Sequence, residues 1–168
     1  MNRIAAFRRF LGLVMALAGM LTSYSASAEL AKDFRLAGVA DTTVSLNEYR
    51  GKIVYLDFWA SWCGPCRVSF PWMDEMLAKY EAEGFQIVAV NLDDSIEDAE
   101  EFLLDNPVDF LVAFDPEGIT PEAYDVKGMP TSFLIDRNGE IVKQHAGFNA
   151  SYKDELESAL LKLLETQP

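Results

Sequence analysis

The chain has 168 residues, a net charge of −13 and two cysteines. An acidic surface of this kind repels phosphate backbones and anionic lipid, which argues against a nucleic-acid-binding or membrane-surface protein. The length is that of one domain with a single hydrophobic core.

The first 28 residues have the features of a signal peptide. Three arginines flank or precede an uncharged apolar segment at 10–21, and Ala26-Ser27-Ala28 supplies the small residues of a cleavage site. We therefore predict cleavage before Glu29, a periplasmic or otherwise extracytoplasmic location, and one domain over 29–168. The apolar segment is shorter than the roughly 18 residues that span a bilayer, and a retained N-terminal anchor is the alternative. Loss of the three arginines would lower the net charge from −13 to −16.

Strand and helix patterns alternate along the rest of the chain. The segment 52–59 is almost continuously apolar, β-branched or aromatic, which is typical of a strand buried on both faces. In chain order we predict a hairpin over 34–46, a strand over 52–59, a helix over 63–81 ended by Gly84 and a strand over 85–92. Next come a helix from an N-cap at Ser95 through Leu104, a strand over 109–114 and a short helical turn at Thr120-Pro121. The last predicted elements are a hairpin that pairs 131–135 with 140–145 and a helix capped by Ser151, which buries Leu156, Leu160, Leu163 and Leu164. This order predicts an α/β fold, a mixed sheet covered on both faces. The acidic residues at 93–94 and 97–101 are interpreted as solvated helix faces.

The two cysteines, Cys63 and Cys66, lie where the strand over 52–59 meets the next helix. A bridge between them closes so short a loop that loop entropy makes it worth only about 2 kcal/mol, so a reactive pair explains it better than a structural staple. The N–H groups and the dipole at a helix start favour a thiolate at the first cysteine. We predict that Cys63 attacks and that the more buried Cys66 resolves the mixed disulfide, while Gly64 and Pro65 keep the turn compact.

Residues 57–67 read Asp-Phe-Trp-Ala-Ser-Trp-Cys-Gly-Pro-Cys-Arg and resemble the active-site segment of thioredoxin. Pro71 matches the proline within the active-site helix of that family, and Gly128-Met129-Pro130-Thr131 resembles the loop that carries its cis-proline. The resemblance covers roughly all of 29–168. It implies a thioredoxin-like three-layer α/β/α fold, a cis peptide bond before Pro130, and contact of Met129 and Pro130 with the substrate. Trp62 adjoins Cys63 and offers partners an apolar surface.

A longer segment separates Asn91 from Pro130 than in thioredoxin itself, and it accommodates the helix and strand predicted after Ser95. This inserted helix–strand unit, the N-terminal hairpin and the export signal are similar to the TlpA/ResA group of extracytoplasmic thiol–disulfide oxidoreductases. The resemblance implies a reductase of disulfides in other exported proteins, supplied with electrons by a membrane thiol transporter. A Gly-Pro dipeptide between the cysteines fits this direction, since thioredoxin has a potential of about −270 mV against about −120 mV for the oxidant DsbA. A thiol reductant for cytochrome c maturation is the alternative.

Asp57 lies within the apolar strand over 52–59, where an ionised and unpaired carboxylate costs several kcal/mol. We therefore expect a raised pKa for Asp57. Its position matches the buried aspartate of thioredoxin, and the resemblance implies that Asp57 assists proton transfer to or from Cys66. Thioredoxin has a lysine on the neighbouring strand close to this acid, and Ala89 stands at the corresponding position here. A structural hydrogen bond is the alternative role.

Three other functions draw on the same residues. A structural zinc site needs four ligands, and only His145 remains besides acids, so no metal or other cofactor is expected. A peroxidase of this fold has a threonine three residues before its reactive cysteine, where this chain has Ala60. A non-enzymatic docking module for apocytochrome-type partners is the third function, and the intact Cys-Gly-Pro-Cys argues against it. We expect a monomer with no nucleic-acid partner.

Overall fold

The computed structural model describes residues 29–166, and the predicted signal peptide lies outside them. Its strands are β1 Glu29–Leu30, β2 Arg35–Gly38, β3 Thr43–Ser45, β4 Ile53–Trp59, β5 Phe85–Asn91, β6 Leu111–Phe114, β7 Thr131–Ile135 and β8 Glu140–Ala146. Its helices are α1 Gly64–Tyr80, α2 Ile96–Asp105, α3 Ile119–Ala123 and α4 Ala150–Glu165. In this part of the chain no helix is both long and apolar enough to cross a membrane.

One mixed sheet in the order β1-β8-β7-β4-β5-β6-β2-β3 organises the domain. The central strand β4 runs parallel to β5 and antiparallel to β7, and β5 runs parallel to β6. All seven residues of β4 and all seven of β5 are buried. Burial on both faces explains why these two strands read as continuous apolar segments rather than alternating ones.

A separate hydrophobic cluster covers each face of the sheet. On one face, helices α1, α2 and α4 pack over Tyr55, Trp59 and their neighbours. On the other face, the N-terminal segment and the residues that follow α3, Tyr124 among them, pack over Leu56 and Phe58. The predicted α/β architecture with three layers is confirmed, and so is the N-terminal hairpin, which β2 and β3 form at one edge of the sheet.

The structure corrects the boundaries of two predicted elements and adds one strand. Asn149, not Ser151, is the N-cap of α4, because its backbone is extended and its side-chain oxygen accepts the Tyr152 N–H at 3.1 Å. The strand predicted from position 109 begins at Leu111, since the N–H of Asp109 donates to the Asp74 carboxylate of α1 at 2.9 Å and not to the sheet. The two-residue strand β1, which pairs with β8, was not predicted.

Candidate active site

The cysteine pair lies at the carboxyl end of β4, where the chain turns into α1. Cys63 is the N-cap of α1 and Cys66 lies in its first turn, with Pro65 between them at the start of the helix, where the missing N–H of proline costs no helical hydrogen bond. The two residues form a disulfide with their Cα atoms 5.3 Å apart. The predicted pairing and its position on the first helical turn are therefore both present.

The start of α1 places a hydrogen-bond donor on the sulfur of Cys63. The N–H of Cys66 donates to the Cys63 Sγ atom at 3.3 Å. A donor at a helix N-terminus stabilises negative charge on that sulfur, so this geometry favours a thiolate at position 63 once the disulfide is reduced. Cys63 is 5% exposed and Cys66 is 1% exposed, which makes Cys63 the more accessible residue of the pair. Both observations fit the predicted order of attack.

The loop before Cys63 is held from two sides through Ser61. The backbone N–H and the hydroxyl of Ser61 both donate to the Asp93 carboxylate, at 2.9 and 3.0 Å. The Arg67 guanidinium donates to the Ser61 carbonyl at 3.0 Å, and the Asn91 amide donates to Asp93 at 2.6 Å. All three polar atoms of Ser61 are thus bonded, which fixes the backbone next to Cys63.

Asp93 contradicts the interpretation of the acidic residues at 93–94 as a solvated face. Its side chain is 4% exposed, because it accepts donors from the end of β5 and from the loop after β4. The physical reason is topological: β4 and β5 are parallel neighbours, so their carboxyl ends meet at the same edge of the sheet. The position of Asp93 two residues after a buried strand was the signal that could have identified it.

Asp57 is buried on the face of the sheet that carries α1. Its neighbours two residues away, Tyr55 and Trp59, belong to the same cluster as Cys63 and Cys66, and side chains alternate along a strand. The Asp57 side chain has no protein partner at Oδ2, and burial raises the pKa of its carboxyl well above the ordinary value of 3.8. The raised pKa predicted from sequence is confirmed.

The strands on either side of β4 give Asp57 different neighbours. Ala89 of β5 lies directly opposite Asp57, so no lysine stands beside the acid on that strand, as the sequence predicts. On the other side, Ser132 of β7 lies directly opposite it. The polar surroundings of Asp57 therefore come from the β7 side of the sheet.

The peptide bond between Met129 and Pro130 is cis, which confirms the conformation expected from the resemblance. Pro130 is buried, and its carbonyl accepts the Gly147 N–H at 2.7 Å. Met129 is partly buried against the cluster that contains both cysteines. Trp62 projects from the loop before Cys63 and is 68% exposed. Met129 thus packs against the cluster that contains the two cysteines, and the Trp62 ring is open to solvent.

Two further residues near the site, Trp59 and His145, are described by their aromatic contacts. Trp59 is fully buried, with its ring against Phe70 and Phe102 at centroid distances of 5.0 and 5.3 Å. His145 is half-buried on β8, where its ring stacks on Tyr152. Over residues 29–166, no group of three or more histidine, cysteine or acidic side chains is arranged to hold a metal ion.

Known proteins are similar to this chain in sequence. The Redoxin family model matches residues 26–160. The thiol-disulfide oxidoreductase ResA of Bacillus thuringiensis subsp. konkukian is 33% identical over 133 residues, which are 79% of this chain and 76% of the relative. ResA of Bacillus subtilis is 36% identical over 117 residues, 70% of this chain and 65% of that protein.

Solved structures of thiol–disulfide oxidoreductases and thioredoxins are also similar to this chain. A Chlorobium tepidum protein described as a thiol:disulfide interchange protein DsbE has a TM-score of 0.79 and 58% identity, and the match covers 82% of this chain and 96% of that one. The exposed lipoprotein thioredoxin Etrx1 of Streptococcus pneumoniae has a TM-score of 0.70 and 36% identity, over 79% of this chain and 100% of that one. The chain therefore belongs to the Redoxin family and is a thiol–disulfide oxidoreductase, a protein-disulfide reductase with a thioredoxin-like fold.

Proposed function

We propose that the protein reduces disulfide bonds in other exported proteins, with Cys63 as the attacking and Cys66 as the resolving cysteine. The observation that carries this assignment is the helix start at position 63. There the Cys66 N–H donates to Cys63 Sγ, and Cys63 is the more exposed of the two cysteines. The leader over 1–28, which lies outside the described residues, supports an extracytoplasmic location.

The exchange proceeds in two steps that balance in atoms and electrons. The Cys63 thiolate attacks one sulfur of the substrate disulfide and forms a mixed disulfide, and the other substrate sulfur leaves as a thiolate that takes up a proton. Cys66 then gives its proton to the ionised Asp57 and attacks Cys63 Sγ, and the second substrate sulfur leaves as a thiolate that takes up a proton from solvent. The protein ends as the Cys63–Cys66 disulfide found in the structure, having passed on two electrons.

The next turnover needs an external thiol that reduces the Cys63–Cys66 disulfide. A membrane thiol transporter is the donor that the resemblance to the TlpA/ResA group implies, and disulfide-containing exported proteins are the acceptors. Substrate contact is assigned to Trp62, Met129 and Pro130. The exposed Trp62 ring and the placement of Met129 against the cluster of the cysteines support this assignment.

The direct test is to trap the mixed disulfide. Cys66→Ala should accumulate covalent adducts between Cys63 and exported proteins, which mass spectrometry of the purified protein identifies. The matched control Cys63→Ser should yield no adducts and should not reduce insulin in the presence of dithiothreitol. If Cys63→Ser reduces insulin as fast as the unaltered protein, the assignment of the nucleophile is wrong. A protein that binds partners without reducing insulin would instead be a docking module.

A further inference from the structure

Charges of opposite sign hold the two peptide groups of Ser61, the residue two positions before Cys63. The N–H and the hydroxyl of Ser61 donate to the Asp93 carboxylate at 2.9 and 3.0 Å, and the Arg67 guanidinium donates to the Ser61 carbonyl at 3.0 Å. The Arg67 guanidinium also lies 5.1 Å from the centre of the Phe102 ring, which keeps it beside the loop. Within residues 29–166 neither Asp93 nor Arg67 forms an ion pair, so no partner neutralises either charge.

A short chain of hydrogen bonds connects Asp93 to the backbone of Cys63. The peptide group between Ala60 and Ser61 donates its N–H to Asp93, and its carbonyl accepts the Cys63 N–H at 3.0 Å. A carboxylate that accepts the N–H of a peptide group polarises that group and strengthens the hydrogen bond at its carbonyl. The charge of Asp93 is therefore separated from Cys63 by one peptide group and two hydrogen bonds.

The loop could be held without a charge at position 93. Asp93 is 4% exposed, and burying an ionised carboxylate is costly unless hydrogen-bond donors replace the lost water. Three donors do so here, namely the N–H and the hydroxyl of Ser61 and the Asn91 amide at 2.6 Å. A neutral asparagine could accept from the same loop without the cost of a buried charge. The negative charge beside the cysteine pair therefore calls for a role beyond the support of the loop.

The other charged groups around Cys63 lie on β4 and α2. Asp57 of β4 is buried, and burial raises the pKa of its carboxyl, which reduces its negative charge at a given pH. Three exposed acids of α2 line an open groove beside Trp62: Asp98, Glu101 and Asp105. Water and salt screen exposed carboxylates more strongly than a buried one. Asp93 is therefore the acid whose charge we expect to act most strongly on the Cys63 sulfur.

We propose that Asp93 and Arg67 act in opposite directions on the thiolate of Cys63, and that the Asp93 carboxylate keeps the cysteine pair a reductant. The inference rests on the proposed function, because it concerns the nucleophile of that reaction. A negative charge near the sulfur disfavours the thiolate and so destabilises the reduced protein relative to the disulfide, and a positive charge does the reverse. A less stable reduced form is a stronger reductant, just as the oxidant DsbA owes its high potential to a stabilised reduced form. Asp93 and Arg67 are thus positioning residues, whose charges Ser61 holds beside Cys63.

The test measures the pKa of Cys63 and the reduction potential of the full chain, with no protein substrate present. The pKa follows from the pH dependence of iodoacetamide alkylation at Cys63 in the reduced protein, and the potential from equilibration with dithiothreitol. Asp93→Asn should lower this pKa by roughly 1 unit, the effect of a unit charge about 10 Å away at an effective dielectric constant near 20. The potential should become less negative by up to about 30 mV, the value for a tenfold change in the exchange equilibrium.

Arg67→Gln tests the opposite charge. The glutamine amide can still donate to the Ser61 carbonyl, so the variant removes the charge and keeps a donor. It should raise the pKa of Cys63 and make the potential more negative. Both shifts should be smaller than those of Asp93→Asn, because Arg67 is exposed and water screens its charge.

Two controls separate the effect of charge from that of structure. Ser61→Ala removes the hydroxyl donor but leaves both charges in place, so it should lower stability without shifting the pKa of Cys63. Asp94→Asn removes an exposed charge next to Asp93 and should change neither the pKa nor the potential. An unchanged pKa in Asp93→Asn, or an equal shift in Ser61→Ala, would overturn the proposal.

Two further outcomes are decided by the same measurements. If Asp93→Asn does not fold, the exposed Arg67→Gln decides alone, and an unchanged pKa and potential in that variant would overturn the proposal. Neither quantity depends on a protein substrate. If the shifts are found but the unaltered protein does not reduce insulin, the proposed function fails and the effect of the two charges on Cys63 stands.

Discussion

The replacement Asp57→Asn tests the cost of burying a carboxyl under the active site. Asp57 is 1% exposed, and burial raises the pKa of its carboxyl well above 3.8. Below about pH 3.8 the carboxyl is protonated in both the folded and the unfolded chain. As the pH rises from there, the unfolded chain loses the proton while the folded protein keeps it, so the free energy of unfolding falls.

The slope of this fall follows from proton linkage. One proton bound in the folded state and absent in the unfolded state costs about 1.4 kcal/mol per pH unit, until the pH reaches the folded-state pKa of Asp57 and the loss is complete. Asparagine does not titrate, so Asp57→Asn removes this slope. Its buried amide adds a penalty of about 1–3 kcal/mol that does not depend on pH. The variant should therefore be the less stable protein near pH 4 and should gain on the unaltered protein as the pH rises.

The assay is urea unfolding of the oxidised protein at several pH values between 4 and 8. Cysteines in a disulfide do not titrate, so the oxidised state isolates the carboxyl. Ser45→Ala is the control, because it also alters a buried polar side chain but removes no titratable group, and its effect should be constant across this range. If the stability difference between Asp57→Asn and the unaltered protein is equally constant, Asp57 is not buried as a raised-pKa acid and the reasoning is refuted.

Three further predictions concern the loop, the last helix and the substrate surface. Asp93→Asn should lower the free energy of unfolding by about 1–3 kcal/mol in urea, whereas exposed Asp94→Asn should not. Asn149→Ala should cost about 1 kcal/mol of stability by removing the α4 cap, and an equal loss in Ser151→Ala would contradict that assignment. Trp62→Ala should raise KM for insulin and leave Tm unchanged, since the ring is 68% exposed; a lower Tm with unchanged KM would remove it from the substrate surface.

The sequence predicts those parts of the fold that have a local pattern. The buried strands Ile53–Trp59 and Phe85–Asn91 are continuous apolar segments, and α2 begins at the predicted cap, where Ser95 accepts the Asp98 N–H. The strand β1 is only two residues long and exists through its pairing with β8, so it has no pattern of its own. The cap of α4 was misplaced by two residues because Asn149 and Ser151 are both favourable caps, and only backbone geometry chooses between them.

The same distinction applies to the residues of the site: those in short sequence motifs are predictable, and contacts between distant positions are not. Cys63, Cys66 and Pro130 are contained in short motifs, and a buried acid in an apolar strand is visible at Asp57. The contact between Asp93 and Ser61 joins positions 32 residues apart, and that between Ser132 and Tyr152 joins positions 20 apart. Such contacts depend on strand register and on where a helix crosses the sheet, which one sequence does not specify.

Strand register also determines which side chains surround the buried carboxyl of Asp57. In thioredoxin a lysine on the neighbouring strand lies close to the buried acid, and Ala89 leaves that side of Asp57 apolar in this chain. A charged partner on β5 would favour the ionised carboxyl, so its absence is consistent with a pKa that burial alone raises. The residue directly opposite Asp57 on the other side is Ser132, whose neutral hydroxyl places no charge in the core. Burial thus makes the ionised carboxylate of Asp57 a stronger base than a carboxylate in water, which suits it to take up the proton of Cys66.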